Sequence, residues 1–145
     1  MHLLVALSLN NLGAVYYEQD RLVEAEIFHK KALGILKDKL FHEHPDAVTF
    51  LTNLGSVYVK QARFDVAKVY FKKALGILEK VSNSEHPKAA VVQEWLGTVY
   101  LAEGRISEAR SRYKETLAIR KKFLGPEHPD VATALDNLGS AYAMQ

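Results

Sequence analysis

The same short phrases return every 42 residues. His44-Pro45, His86-Pro87 and His128-Pro129 are spaced by that interval, and His2 lies one interval earlier. Leu12-Gly13, Leu54-Gly55, Leu96-Gly97 and Leu138-Gly139 keep the same step. So do Tyr16, Tyr58, Tyr100 and Tyr142, and Ala25, Ala67 and Ala109. Laid on each other, residues 2–43 and 44–85 agree at 18 of 42 positions. Average residue usage would give roughly two or three. A period of this length marks units that cannot bury an apolar face alone and must stack on copies of themselves.

Each unit reads as two helices. In the second, Pro45 suits a first helical position, where its missing N–H is no loss, and Asp46 suits the positive end of the helix dipole. Val48, Leu51, Leu54, Val57 and Tyr58 then recur at three- and four-residue spacing and mark one apolar face. Gln61-Ala62-Arg63 interrupts the pattern. A second helix is predicted from about Phe64 to Lys80, with Ala67, Phe71, Ala74, Leu75 and Leu78 on one side. The segment from Val81 to Glu85 closes the unit. Gln19-Asp20-Arg21 and Glu103-Gly104-Arg105 are the matching breaks elsewhere, and Leu124-Gly125-Pro126-Glu127 is the third closing loop.

Four glycines at one helix position call for a mechanical reason, because glycine inside a helix costs about 1 kcal/mol relative to alanine. The reason is close approach: something must come near the backbone at Gly13, Gly55 and Gly97. Ala25, Ala67 and Ala109 play the matching part on the second helix. Tyr16, Tyr58 and Tyr100 then fill the gap between successive pairs. The predicted class is all-α, an α-solenoid of antiparallel helix pairs.

Composition narrows the function. There are 19 lysines and arginines against 17 aspartates and glutamates, a net charge of +2. That near-balance argues against a protein built mainly for electrostatic capture of nucleic acid or anionic membrane. Cysteine is absent, which excludes a disulfide scaffold, a thiolate zinc site and a cysteine nucleophile. No apolar run reaches the roughly 18–20 residues that cross a bilayer. The apolar start lacks the basic flank and cleavage pattern of a signal peptide. A cytoplasmic location is the default expectation.

The residues that carry the period resemble the tetratricopeptide repeat: Leu54-Gly55, Tyr58, Ala67, Phe71 and Ala74 in the second unit, and Leu96-Gly97, Tyr100, Ala109 and Tyr113 in the third. The first unit departs with His29 at the aromatic position, and the third has Thr116 for the last alanine. The usual repeat is shorter. The 42-residue length, the His-Pro-Asp opening and the Asn-Leu-Gly core are similar to the kinesin light chain subclass. The resemblance implies a right-handed superhelix of about 3.5 units over residues 1–145, with repeats at 2–43, 44–85, 86–127 and a partial fourth at 128–145.

It also implies a non-catalytic interaction scaffold whose first helices line a groove for a linear peptide or a helix of a partner protein, with a kinesin light chain-like cargo or adaptor role. The alternative is a structural or regulatory array within a larger signalling or switch protein, acting through self-association. By register the groove residues are Asn10, Ala14 and Tyr17, then Thr52, Asn53, Ser56 and Val59, then Glu94, Trp95, Thr98 and Leu101, continuing at Asp136 and Ser140. Asparagine offers an extended ligand both donor and acceptor. Trp95 stands either as a binding anchor or as a ring packed on its neighbouring helix, and Asn53 either as a ligand contact or as a locally bonded amide. Chaperone-binding relatives clamp a C-terminal carboxylate with lysine, arginine and asparagine. The corresponding positions here read Asn10, Ala14, Asn53, Val91 and Trp95, so the cations of that clamp are missing.

Other constellations carry little. His2, His44, His86 and His128 occupy one place in successive repeats, too far apart to converge on one metal ion. They are expected to be structural corners at helix starts. His42-Glu43-His44 lacks a third ligand. His29 is expected to be a partly buried substitute for an aromatic. No phosphate-binding glycine loop and no nucleophile elbow is present, and no catalytic residue, cofactor or metal is expected. Residues 86–127 hold eight basic and five acidic side chains. Arg105, Arg110, Arg112, Lys114, Arg120, Lys121 and Lys122 lie on the second helix of that repeat, which should face outward. A solvated face is the leading reading of this cluster, an acidic partner or RNA patch the other, and nucleic acid is not an expected partner.

The length, 145 residues, is about 3.5 periods. A lone first helix from Pro129 to Gln145 should leave Val131, Leu135, Leu138 and Tyr142 uncovered. The chain then reads as a cut through a longer array, or as one whose exposed end pairs with another copy in a homodimer.

Overall fold

The structure is a computed structural model in which residues 2–36, 45–82 and 86–144 are described. These residues form seven α-helices. They are α1 (His2–Glu18), α2 (Leu22–Ile35), α3 (Pro45–Lys60), α4 (Phe64–Ser82), α5 (Lys88–Ala102), α6 (Ile106–Leu124) and α7 (Pro129–Ala143). The chain divides into two compact units, Met1–Val81 with α1 to α4 and Ser82–Gln145 with α5 to α7.

In the first unit α1 packs on α2, and α3 on α2 and α1. Phe50 of α3 is fully buried with Ala6 of α1 and Ala32 and Leu36 of α2, and Leu3, Leu7, Leu33 and Ile77 close around them. The apolar face predicted for α3 is the buried one: Val48, Leu51, Leu54, Val57 and Tyr58 are all inside. On α4, Ala67, Phe71, Ala74 and Leu78 are buried, and Leu75 is half-buried. That helix runs to Ser82, two residues beyond the expected end. In the second unit α6 packs on both α5 and α7.

The helix-pair corners share one geometry. Asp20, Ala62 and Gly104, equivalent positions of the three breaks, have φ of 61°, 59° and 76°. The N–H of the next residue bonds back over a full turn, Arg21 to the Tyr16 carbonyl at 2.9 Å, Arg63 to Tyr58 at 2.8 Å and Arg105 to Tyr100 at 2.8 Å. The left-handed residue bonds to the carbonyl three before it, as Ala62 does to Val59 at 2.9 Å. This paired bonding is the Schellman ending, which satisfies carbonyls that a helix terminus leaves open. Each of the three arginines then stacks on the tyrosine it bonds, 4.5–4.8 Å from the ring centre.

The glycines sit where rings arrive. A Cβ placed at Gly13, Gly55 or Gly97 would lie 2.8 Å from the His29 ring, 2.5 Å from Phe71 and 2.6 Å from Tyr113. The close approach is therefore made by the aromatic position of the second helix, and the buried alanines Ala25, Ala67 and Ala109 let that helix come near enough. At Gly139 nothing lies within 4 Å. The expected uncovered face of α7 is only partly so. Val131 is buried, whereas Leu135 and Tyr142 are 48% and 44% exposed. Ala134 and Ala141 of α7 are buried as well.

Candidate functional site

The helix starts explain the histidine column. His128 Nδ1 accepts the backbone N–H of Asp130 at 3.0 Å, and His86 Nδ1 accepts that of Lys88 at 3.1 Å. A histidine before proline thus caps the first turn, a structural corner as expected. His44 and the His42-Glu43-His44 cluster lie outside the described residues. Among the described residues no group of three potential ligands could hold a metal ion.

On the first unit, the predicted residues Asn10 and Tyr17 lie on α1 and Thr52, Asn53 and Ser56 on α3. Asn10 is buried, and its Oδ1 accepts two hydrogen bonds, from His29 Nδ1 at 2.8 Å and from Asn53 Nδ2 at 3.1 Å. His29 is fully buried rather than partly so, because its ring fills the place that Phe71 and Tyr113 fill in their repeats. Burial lowers its pKa to about 4, so at neutral pH the imidazole is uncharged and Nδ1 carries the proton given to Asn10. Thr52 and Ser56 are buried and donate to carbonyls of their own helix, Val48 at 2.7 Å and Asn53 at 2.6 Å. Asn53 is half-buried, and among the described residues its side chain bonds through Nδ2 and not through Oδ1. Tyr17 is half-buried with the Lys60 ammonium 3.9 Å from its ring centre.

On the second unit the same register is braced by charge. Glu94 stands at the Asn10 position, and its Oε2 accepts from Asn137 Nδ2 at 3.1 Å and Arg120 Nη1 at 2.8 Å. Asn53 and Asn137 therefore do one job, reaching back to the previous repeat's first helix. Arg120, expected on an outer basic face, is instead buried, held by Glu94 and the Asp130 carbonyl at 3.3 Å. No sequence signal marked it, since leucines occupy its place in the other repeats. Thr98 donates to the Glu94 carbonyl at 3.0 Å and meets the Tyr113 hydroxyl at 3.1 Å. Burial raises the Tyr113 pKa, so that hydroxyl keeps its proton. Trp95 is half-buried, and Asp136 is exposed with no partner among the described residues.

A second kind of junction lies between α2 and α3. Tyr58 donates its hydroxyl to Glu26 Oε2 at 2.9 Å, and Lys30 pairs with the same carboxylate at 2.8 Å. Arg63 reaches its other oxygen at 3.4 Å. Burial alone would raise the Glu26 pKa, but the hydrogen bonds from Lys30 and Tyr58 and the nearby positive charges outweigh it and hold the carboxyl below its usual range. A cavity of about 750 Å³ opens beside this junction, with Leu33, Leu36, Leu51 and Ile77 in its wall. None of the predicted groove residues lines it.

Two repeating geometries are now in place: a ring seated on a glycine within each helix pair, and an asparagine reaching back between pairs. The tetratricopeptide repeat model matches residues 4–80 and 88–145. The chain belongs to the tetratricopeptide repeat family. Among solved structures it is similar to BtubC (BKLC) of P. vanneervenii, with a TM-score of 0.90 and 24% identity over 99% of this chain and 57% of that one. It is also similar to the kinesin light chain-like, nearly identical TPR-like repeats of Podosopora anserina, with a TM-score of 0.83 and 26% identity over 94% and 65% of the two chains. The first TPR of Spaghetti (RPAP3), bound to the HSP90 peptide SRMEEVD, superposes with a TM-score of 0.68 at 22% identity over 96% and 94%. The chain thus spans less than two thirds of the first two of these proteins. No curated protein sequence matches it. The all-α class and the 42-residue, kinesin light chain-like repeat follow from these observations, and no described helix is long and apolar enough to cross a membrane.

Proposed function

We propose that the chain is a non-catalytic scaffold that binds a linear segment of a partner protein on the faces of its first helices. Membership of the repeat family supports the class, since a relative in the same family holds a peptide. The observation that carries the site is a division of labour among the nine residues predicted by register. Asn10, Thr52, Ser56, Glu94 and Thr98 spend their polar atoms inside the array. Tyr17, Asn53, Trp95 and Asp136 remain part-exposed or exposed, with the side-chain oxygen of Asn53, Oδ1, available as an acceptor. These four are the contact residues of this reading: an aromatic on each unit to seat apolar side chains, an amide to meet ligand backbone, and a carboxylate that favours a basic residue.

The missing carboxylate clamp separates this face from the chaperone-tail binders. A peptide ending in a free carboxylate should gain nothing over its amidated form. The test is a peptide library displayed on phage and panned against the whole chain. Peptides enriched by the native chain and lost with Asn53→Ala plus Trp95→Ala, while helical content and melting temperature hold, support the reading. Enrichment indifferent to both substitutions refutes the site. Self-association is the second reading, and the exposed Leu135 and Tyr142 of α7 and Met144 just after it favour it. Sedimentation across concentration separates the two: a dimer that Leu135→Lys dissolves belongs to the second.

A further inference from the structure

The seven basic side chains of α6 and its end are not one solvated face. Arg105 pairs with Glu108 and stacks on Tyr100. Arg112 donates to Gln93 at 2.9 Å, and Arg120 is buried on Glu94. Among the described residues Arg110 and Lys114 have no carboxylate partner. Both instead converge on Tyr142 of α7, at 4.9 and 5.8 Å from its ring centre. There they line a cavity of about 400 Å³ with Ser107, Ser111 and Glu115.

The repeat supplies its own comparison. Two periods earlier, 84 residues, Arg110, Lys114 and Tyr142 correspond to Glu26, Lys30 and Tyr58. In that junction the Glu26 carboxylate takes the Tyr58 hydroxyl and the Lys30 ammonium together. In the α6–α7 junction the carboxylate is replaced by a guanidinium. Lys30 and Tyr58 share the Glu26 anion, whereas among the described residues Lys114 and Tyr142 share none and have the Arg110 cation beside them. Attraction to the face of the Tyr142 ring gathers the cations but neutralises neither.

We infer that the α6–α7 junction is a phosphomonoester-binding pocket, in which a phosphate dianion in the space between Arg110, Lys114 and Tyr142 supplies the negative charge that the carboxylate supplies in the first junction. The donor set fits that class. Arg110 and Lys114 match the two negative charges, and Arg110 Nη2 leans on Ser107 Oγ at 3.4 Å, which leaves the serine proton to donate. Ser107 and Ser111 are one turn apart on α6 and face the same cavity as the Tyr142 hydroxyl. Glu115 on the rim leaves the pocket with a single net positive charge. An anion must therefore use the hydroxyls as well as the cations, and three terminal phosphate oxygens can do both. A phosphodiester brings one charge, and the Tyr142 ring is already covered by cations rather than open for a base to stack on, which disfavours RNA.

The pocket is separate from the peptide face, so its test stands or falls without it. Amide shifts of the whole chain are followed by NMR as inorganic phosphate is added at constant ionic strength, with acetate as control. Saturable shifts confined to 107–115 and Tyr142, absent with acetate, are expected. Arg110→Glu restores the arrangement the first junction already tolerates, and should weaken phosphate roughly tenfold or more. Lys114→Gln should weaken it less. A phosphoserine peptide forms the second arm: tighter binding than phosphate assigns the ligand to a modified protein, and equal binding to a free phosphomonoester. Unsaturable shifts, acetate shifts of the same size, Arg110→Glu binding like the native chain, or a single-stranded RNA that displaces phosphate would each overturn the inference.

Discussion

His29 shows what a single position can hold besides ring volume. Phe71 and Tyr113 fill the same place, Tyr113 also meeting Thr98 through its hydroxyl, while His29 fills it and donates to Asn10, which in turn accepts from Asn53. The imidazole must stay neutral to do so. The unfolded chain takes up a proton on this ring below about pH 6.5, the folded chain only near 4. Stability from this residue is therefore complete above about 6.5 and is lost as the pH falls toward 4, by about 3 kcal/mol in total. Urea midpoints between pH 7 and 5 should fall further in the native chain than in His29→Phe, the difference being the contribution of this ring. A variant that loses as much stability as the native chain over that interval would place the acid response elsewhere. The aromatic role was legible from the register alone. The neutral charge state was not, because it depends on burial and on Asn10, and the burial of Arg120 was likewise hidden in a helix that reads as uniformly basic.

Helices and their corners were the most legible level, because period, apolar spacing and capping all point one way. Pro45 and Pro129 start their helices as position requires, and the three breaks fall where the apolar pattern stops. What the pattern does not encode is the hand of the corner residue. Gly104 could have signalled it, but Asp20 and Ala62 adopt the same positive φ. Alanine there carries a left-handed cost of about 1–2 kcal/mol that glycine avoids. Ala62→Gly should stabilise the chain by about 1 kcal/mol, read as a higher urea midpoint, and Gly104→Ala should cost a similar amount. The helical glycines test the packing argument from the opposite side. Gly55→Ala drives a Cβ into the buried Phe71 ring and should destabilise by about 1–3 kcal/mol. Gly139→Ala meets open space and should gain about 0.5–1 kcal/mol from helix propensity. Equal effects at the two positions would mean the glycines answer to the backbone rather than to the ring.

At the scale of the whole molecule the repeat rule makes each position's energetics depend on whether its neighbour is present. Leu135 and Tyr142 are 48% and 44% exposed, and Gly139 lacks a ring. The register says how to supply one. Gln145 stands 84 residues after Gln61, so a copy of residues 62–82 appended directly to it would continue the pattern in phase. The copied Phe71 would then fall on Gly139 as Phe71 falls on Gly55. Covering the exposed halves of Leu135 and Tyr142 should add about 1 kcal/mol for each, seen as a higher melting temperature with unchanged cooperativity. The decisive measurement is a double-mutant comparison. Gly139→Ala, stabilising in the native chain, should become destabilising by about 1–3 kcal/mol in the extended one, because the same methyl group now meets a ring. A reversal of sign at a residue neither construction alters in sequence context would establish that the glycine is set by its neighbour in the array. The same sign in both chains would show that the appended helix does not dock, and that nearest-neighbour stacking is not what places the ring.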